Sequence, residues 1–390
     1  MKAMLNQRVK KIIAHGLLPL LIMAMSYPAL ADRVPPADNH QVINLSYDKS
    51  APPADSYIWN MAHGGYNSED TFLWSRNSWV CLSEGNTSTG SCPIKAIDKG
   101  FFVNYSEGTL LLTFTEQRSH QSVVLTLKNY NRGQYMSGDC ATLSTFWYPM
   151  YFSAYNTCNS VDAARPERML SVYLPQTELA KLPTGGVWKA KLVLNEMQWD
   201  PYIKVATFSA DITLNVTDKN NGAIYLPAFG SATPRVDLNL RTQPLSTAPG
   251  GEVSGQSNID MCLYDGYNSN SPWLKVTLAD QQNVAGRAAD VFSVSRDGSS
   301  ATAAADRIDY RITLNYNNQP QKVNNGQAIT LTGVNTALIR PVVLPGIPFP
   351  VVCTPAPLTL DVLPFAKLSK AAGHFTGTLR VTLSADALAP

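Results

Sequence analysis

The sequence contains few charged residues. Asp, Glu, Lys and Arg make up 15% of its 390 residues, and the formal net charge is only +2. Binding to nucleic acid depends on clustered Lys and Arg that neutralise phosphates, so this composition gives no reason to expect a nucleic-acid partner. Histidine is scarcer still, with 5 residues in the whole chain.

Catalytic and cofactor-binding motifs are also missing. The sequence has no HExxH zinc pattern, no G-x-S-x-G elbow and no glycine-rich phosphate loop. We therefore expect no metal, no cofactor and no enzymatic activity. A pair of glycosidase carboxylates among the 29 acidic residues is the one catalytic arrangement that the sequence leaves open.

Long hydrophobic runs are absent as well. The marked apolar run, at residues 16–25, is short and follows a basic start. It is about half as long as the roughly 20 residues that a membrane-spanning helix needs. We therefore expect residues 1–31 to be a secretory signal peptide, with Ala29 and Ala31 providing the small-residue cleavage site. The exported chain would then begin at Asp32.

The chain has an even number of cysteines, and they are expected to form disulfides. In an oxidising compartment an even count favours disulfides over metal binding, and no CxxC pattern supports zinc. Six cysteines allow 15 connectivities, but their spacing favours pairing in sequence order. The expected pairs are Cys81–Cys92, Cys140–Cys158 and Cys262–Cys353.

Apolar and polar residues alternate with a period of two through most of the chain, for example at 110–114, 187–191 and 308–316. This period is typical of half-buried β-strands. Clusters of Asn, Gly, Ser and Pro separate the runs, as in β-sandwiches. The one helix-like window, at 176–182, predicts a single short turn. The predicted fold class is all-β.

The exported part of the chain is long enough for two domains. Its 359 residues (390 minus 31) are too many for one compact core. The polar stretch TDKNNG at 217–222 lies between two alternating strands and predicts the boundary. We expect an N-terminal domain over 32–218, a linker over 219–221 and a C-terminal domain over 222–390. So short a linker would keep the two domains in near contact.

Three segments around this boundary carry a family resemblance. They are LPTGGVWKA at 182–190, PRVDLNLR at 234–241 and NIDMCLYDGYNSNS at 258–271. Residues 234–241 are expected to form a strand just past the boundary, because Val236, Leu238 and Leu240 alternate with polar residues. With them the chain resembles the tip adhesin and initiator family of class 5 (alpha) chaperone–usher pili, which includes CFA/I-type minor fimbrial subunits and cable-pilus initiators. The resemblance implies two immunoglobulin-like β-sandwiches and the same sequential disulfides. It also implies export through the periplasm to a pilus tip at the cell surface.

The last strand of the chain bears on this resemblance. GTLRVTLSA at 377–385 places Leu379, Val381 and Leu383 on one face, and little sequence follows to pair with it. The family implies an incomplete pilin sandwich, whose groove takes a strand first from a periplasmic chaperone and then from the major pilin at an outer-membrane usher. The alternative is a domain that is already complete. Residues 41–47 are either a donor strand or, as we expect, the first strand of the N-terminal domain.

Receptor binding is the function that the resemblance implies for the N-terminal domain. Of the arginines that form a small, exposed basic patch in the family, one is matched by Arg76 in FLWSRNSWVCLSEGN at 72–86. A guanidinium binds carboxylates bidentately, including that of a sialic acid. The alternative is a solvated strand arginine that pairs with Glu69 or Asp70.

The chain departs from the family where an arginine pair is expected. It reads NEMQWDPYIK at 195–204, with Gln198 and Trp199 near those positions. Trp199 could stack on a sugar or pack inside the domain, and Arg118 is a further candidate for receptor binding. The predicted function is a tip adhesin and assembly initiator that binds a host-surface glycan or glycoprotein. The alternatives are a purely structural initiator without a receptor and a secreted carbohydrate-active enzyme.

Overall fold

The computed structural model describes eight stretches of the chain: 33–67, 69–70, 72–100, 106–134, 143–154, 167–231, 233–248 and 250–388. The predicted signal peptide and the predicted Cys140–Cys158 pair lie outside them. None of the helices in these stretches has the length and apolarity needed to cross a membrane. Nearly all regular structure is β-strand, so the predicted all-β fold is confirmed.

Thirteen strands and one helical turn are described before residue 218. The strands are β1 (Arg33–Val34), β2 (Asn39–Asp48), β3 (Ser56–His63), β4 (Tyr66–Asn67), β5 (Ser78–Cys81), β6 (Ile97–Gly100), β7 (Gly108–Glu116), β8 (Ser122–Gln134), β9 (Leu143–Tyr148), β10 (Phe152–Ala154), β11 (Glu167–Leu174), β12 (Gly186–Gln198) and β13 (Ile203–Thr217). The helix α1 covers Gln176–Leu179, which confirms the predicted short turn.

A nine-stranded sheet forms the body of the N-terminal domain. Its main path runs β2-β13-β12-β7-β8-β11-β3, with β5 added to β12 and β9 added to β8. β2 pairs in parallel with β13 along its whole length, so residues 41–47 belong to a strand of this domain, as expected. They are not its first strand, because the two-residue β1 precedes them. The alternation seen in the sequence buries one face of the sheet around three large aromatic side chains, Trp79, Trp188 and Phe208.

The strands after residue 222 form separate sheets. They are β14 (Ala223–Tyr225), β15 (Arg241–Thr242), β16 (Glu252–Ile259), β17 (Cys262–Tyr264), β18 (Trp273–Asp280), β19 (Phe292–Arg296), β20 (Arg307–Tyr316), β21 (Gln319–Lys322), β22 (Ala328–Thr332), β23 (Arg340–Val342), β24 (Val351–Pro355), β25 (Leu358–Ala366), β26 (Phe375–Thr376) and β27 (Leu379–Ala385).

Two of these sheets enclose one apolar core. The larger has the order β15-β16-β25-β20-β19-β26, with β21 added to β20, and the smaller has the order β22-β18-β27. A third sheet, β14-β17-β24-β23, packs around Cys262–Cys353. The disulfides Cys81–Cys92 and Cys262–Cys353 are both formed, so those two predicted pairs are confirmed.

The segment 234–241 was expected to be a strand, and this prediction is wrong for most of its length. Strand pairing begins only at Arg241. Asn239 adopts a left-handed backbone conformation, with φ of 51°, and this conformation interrupts a regular ladder. Val236 and Leu238 still pack, half-buried, against the C-terminal core.

The last strand, β27, is an edge strand. It pairs with β18 from Asp280↔Leu379 to Leu274↔Ala385, and within the described residues no strand pairs with its other edge. Leu379, Val381 and Leu383 point towards the core but stay half-buried, whereas Ala385 is buried. An apolar strand with a free edge and a half-covered inner face leaves room for another strand.

Candidate functional site

Arg76 is buried, not exposed. Its side chain is only 7% exposed, and Nη2 donates to Asp98 Oδ1 at 2.6 Å. The guanidinium carbon lies 4.2 Å from the centre of the Trp199 ring, in cation–π geometry. The prediction that Arg76 forms part of an exposed basic patch is therefore wrong. The acidic neighbour is Asp98 and neither of the two carboxylates expected from the sequence.

Local contacts fix the chain around Arg76. The preceding carbonyl, Ser75 O, accepts a hydrogen bond from Arg168 Nε at 2.6 Å, and Arg76 O accepts one from Ser153 Oγ at 3.0 Å. Arg168 is itself buried, and its guanidinium also donates to Ala154 O. Arg76 is thus held immediately before β5, with its side chain directed at Trp199 and Asp98.

The turn between β12 and β13 positions Trp199. Gln198 is buried, accepts a hydrogen bond from Trp74 Nε1 at 3.2 Å and donates to Asp200 O at 2.9 Å. Both ends of the Gln198 amide are therefore used to hold the turn. Tyr202 follows, and its hydroxyl accepts the Ala96 N–H at 3.0 Å.

We call Arg76, Asp98, Trp199 and Tyr202 the tip cluster. They come from the segment before β5, from β6 and from the β12–β13 turn. Arg76 contacts Asp98 and Trp199 directly, and Tyr202 hydrogen-bonds to Ala96, two residues before Asp98. Asp98 is 53% exposed, and its Oδ1 also accepts the Gly100 N–H at 2.9 Å. The sequence pointed to Arg76 and Trp199 separately, and the structure places them in direct contact.

Arg118 lies elsewhere. Its Nη2 donates to Ala337 O at 2.8 Å and to Val334 O at 3.3 Å, both in the C-terminal domain. It follows β7, which pairs with the first residues of β12, whereas the tip cluster lies at the other end of that strand. β12 has 13 residues and spans roughly 40 Å at about 3.3 Å per residue. Arg118 therefore belongs to the contact between the domains, and the structure does not bring it to Arg76 and Trp199.

Two of the three family segments meet at this contact between the domains. Asn268, in the DGYNSNS turn, donates to Thr184 Oγ1 at 3.0 Å and to Gly185 O at 2.7 Å. Gly266 O accepts the Asp218 N–H at 2.9 Å. Asn268, Thr184 and Asp218 are all buried, so the expected near contact of the domains is a packed polar junction.

Glu116 is a second buried acid of this junction. Its Oε2 accepts hydrogen bonds from the backbone N–H groups of Arg118 and Ser119 and from the Ser119 hydroxyl. Its Oε1 accepts from Val187 N and, across the domains, from Asn270 Nδ2 at 2.9 Å. Charge-assisted hydrogen bonds of this kind compensate the cost of burying a carboxylate.

Known proteins resemble this chain across both of its domains. The family model for the first domain of the CFA/I fimbrial protein CfaE matches residues 28–219, and the model for its second domain matches residues 222–387. Over 365 residues the chain is 31% identical to the CFA/I fimbrial protein CfaE of Escherichia coli, covering 92% of this chain and 94% of that protein. The chain belongs to the CfaE family of fimbrial proteins. The resemblance seen in the sequence is thereby confirmed.

Solved structures of this family show the same fold. The crystal structure of CfaE, the adhesive subunit of CFA/I fimbria of enterotoxigenic Escherichia coli, has a TM-score of 0.76 and 30% identity, and it covers 90% of this chain and 93% of that one. A chaperone–tip adhesin complex of CFA/I fimbriae biogenesis has a TM-score of 0.67 and 28% identity, with coverage of 91% and 98%.

One buried acid of this CfaE-family chain was missed by sequence reasoning. Glu196 is fully buried in β12, and burial raises the pKa of its carboxyl to about 8, against one hydrogen bond from Asn77 that lowers it. Asn77 Nδ2 donates to Oε1 at 2.8 Å. The available signal was its position: Leu192, Leu194 and Glu196 share the inward face of one alternating strand, so an acid there is predicted to be buried.

Proposed function

We propose that this chain is the adhesive subunit at the tip of a chaperone–usher fimbria and that it starts fimbrial assembly. The observation that carries the proposal is the free edge of β27 beside the half-buried Leu379, Val381 and Leu383. A strand added there would complete the C-terminal sandwich. Family membership supports the adhesive role, because CfaE is the adhesive subunit of its fimbria.

The partners follow from this open edge. A periplasmic chaperone would first supply the missing strand, and the relative in the chaperone–tip adhesin complex supports that step. At an outer-membrane usher the major pilin would then replace the chaperone strand with its own, by β-augmentation. β2 is already paired with β13, so it is not available for donation, and the chain would occupy the tip.

Completion of the sandwich is expected to raise its melting temperature. We would compare residues 32–390 with and without a C-terminal extension made of a flexible linker and the N-terminal strand of the cognate major pilin. Covering three half-buried apolar side chains is worth about 1 kcal/mol each, and each kcal/mol shifts the melting temperature of a domain of this size by about 2–4 °C. We expect a gain of roughly 6–12 °C or more, measured by circular dichroism.

The control is the same extension with polar residues at its inward-facing positions, which should give no gain. Equal melting temperatures for the bare chain and the chain with the pilin strand would mean that the C-terminal sandwich is already closed. The proposed place in a fimbria would then lose its mechanism.

Receptor binding is proposed for the tip cluster of the N-terminal domain. Arg76→Ala removes both the pair with Asp98 and the cation–π contact with Trp199. We expect it to reduce adhesion to host cells at least tenfold without reducing the number of fimbriae, counted by electron microscopy. The control is Arg235→Ala, at an exposed position before β15. Unchanged adhesion would favour the second candidate, a structural initiator without a receptor.

A further inference from the structure

We propose that the tip cluster binds an uncharged hexose unit of a glycan and not a sialic acid. This inference rests on the proposed function, since it names the class of receptor that the adhesive domain would take. It departs from what the sequence suggested, where Arg76 was expected to bind a carboxylate.

The first argument concerns charge. The Arg76 guanidinium already has a carboxylate partner, because its Nη2 lies 2.6 Å from Asp98 Oδ1. A sialic acid would have to displace Asp98 or place its own carboxylate beside it, and like charges at such distances repel. Gly100 N–H also holds Asp98 Oδ1, so displacement would break two hydrogen bonds. Arg76 therefore serves to position Asp98 and Trp199.

The second argument concerns the groups that solvent reaches. The Asp98 side chain is half exposed, and both of its hydrogen bonds in the described part of the chain fall on Oδ1. An ionised carboxylate is an acceptor only, so its Oδ2 is suited to the hydroxyl groups of a sugar. The nearby Lys99 ammonium is directed at the Phe152 ring, 4.6 Å from its centre.

The third argument concerns the apolar groups. Trp199 is half-buried, with the Arg76 guanidinium over its ring. Ile97, Tyr202 and Ile203 are all exposed. A hexose ring has an apolar C–H face and a rim of hydroxyl groups, and the combination of aromatic or aliphatic side chains with a carboxylate acceptor complements both.

The fourth argument concerns rigidity. Gln198 fixes the turn that carries Trp199, and the Tyr202 hydroxyl is tied to Ala96 N. Side chains that are already ordered lose little conformational entropy on binding. The tip cluster can therefore bind a small ligand without rearrangement.

The test uses the mature protein, stabilised by the pilin-strand extension, on host epithelial cells before and after sialidase treatment. We expect binding to be unchanged or increased when sialic acid is removed, and to be inhibited by free neutral hexoses but not by free sialic acid. Loss of binding after sialidase would overturn the inference while leaving the adhesive function standing. If no binding to any cell or immobilised glycan is found, the adhesive function itself fails and the inference falls with it.

Variants locate the binding within the tip cluster. Trp199→Ala and Asp98→Asn are each expected to weaken binding at least tenfold, and Trp199→Phe, which keeps a ring over Arg76, should stay within about threefold of the parent. The matched pair is Tyr202→Ala and Tyr57→Ala, because the two tyrosines are 43% and 41% exposed and Tyr57 lies on β3. Of these two tyrosine variants, Tyr202→Ala should reduce binding and Tyr57→Ala should not. Equal effects for this pair, with melting temperatures unchanged, would contradict the proposed site.

Discussion

Replacing Gly185 with alanine is expected to open the junction between the two domains. A Cβ atom at this position would lie 2.1 Å from Gly266 O and 2.9 Å from Val216 O. Both are backbone atoms, so no side-chain rotation can relieve the overlap and the backbone itself must shift. Overpacking typically costs about 1–3 kcal/mol, and the Asn268 hydrogen bond to Gly185 O would be strained or lost as well.

Small-angle X-ray scattering and limited proteolysis would measure this effect. We expect a larger radius of gyration for Gly185→Ala and faster cleavage near 217–222, with each domain still folded by circular dichroism. Gly85→Ala is the matched control, because a Cβ at Gly85 meets nothing within 4 Å. If Gly185→Ala keeps the radius of gyration and the cleavage rate of the parent, the close packing of Gly185 against Gly266 does not hold the domains together.

Much of this fold could be predicted because its determinants are local. In β12, burial alternates along the strand as the sequence does, and a period of two is the direct consequence of strand geometry. Cys81 and Cys92 are close in sequence, so their pairing needed no knowledge of the fold. The prediction failed at 234–240, where one residue, Asn239, leaves the β region.

The candidate site was less predictable because its contacts are not local. Arg76 was noticed from its motif, but its burial depends on Asp98, which β6 carries, and on Trp199, which lies more than one hundred residues further along the chain. Likewise, Arg118 looks like any other turn arginine until the backbone carbonyl of Ala337 is placed beside it. Alternation tells which residues face inward, but it does not tell which inward or turn residues meet.

The stability of the protein is expected to contain a pH-dependent contribution from Glu196. Burial raises the pKa of this carboxyl from 4.5 to about 8 in the folded state. The folded protein therefore holds a proton that the unfolded chain releases above pH 4.5. By linkage, the contribution of Glu196 is complete below about pH 4.5 and is lost as the pH rises to about 8. A shift of this size corresponds to a few kcal/mol, on the order of 1.4 kcal/mol for each pKa unit.

Glu196→Gln separates this contribution from that of every other acid. The amide has the same length and remains neutral, and it can still accept the Asn77 hydrogen bond. We expect the variant to match the parent within about 1 kcal/mol at pH 5 and to be more stable by roughly 2–4 kcal/mol at pH 8.5, measured by denaturant unfolding of the mature protein.

Glu69→Gln, at an exposed position, is the control and should not change the pH profile. A constant difference between Glu196→Gln and the parent from pH 5 to 8.5 would show that Glu196 does not keep its proton in the folded state. Glu196 would then be buried as a charged carboxylate, and the hydrogen bond from Asn77 would have to offset the free energy lost on removing that charge from water.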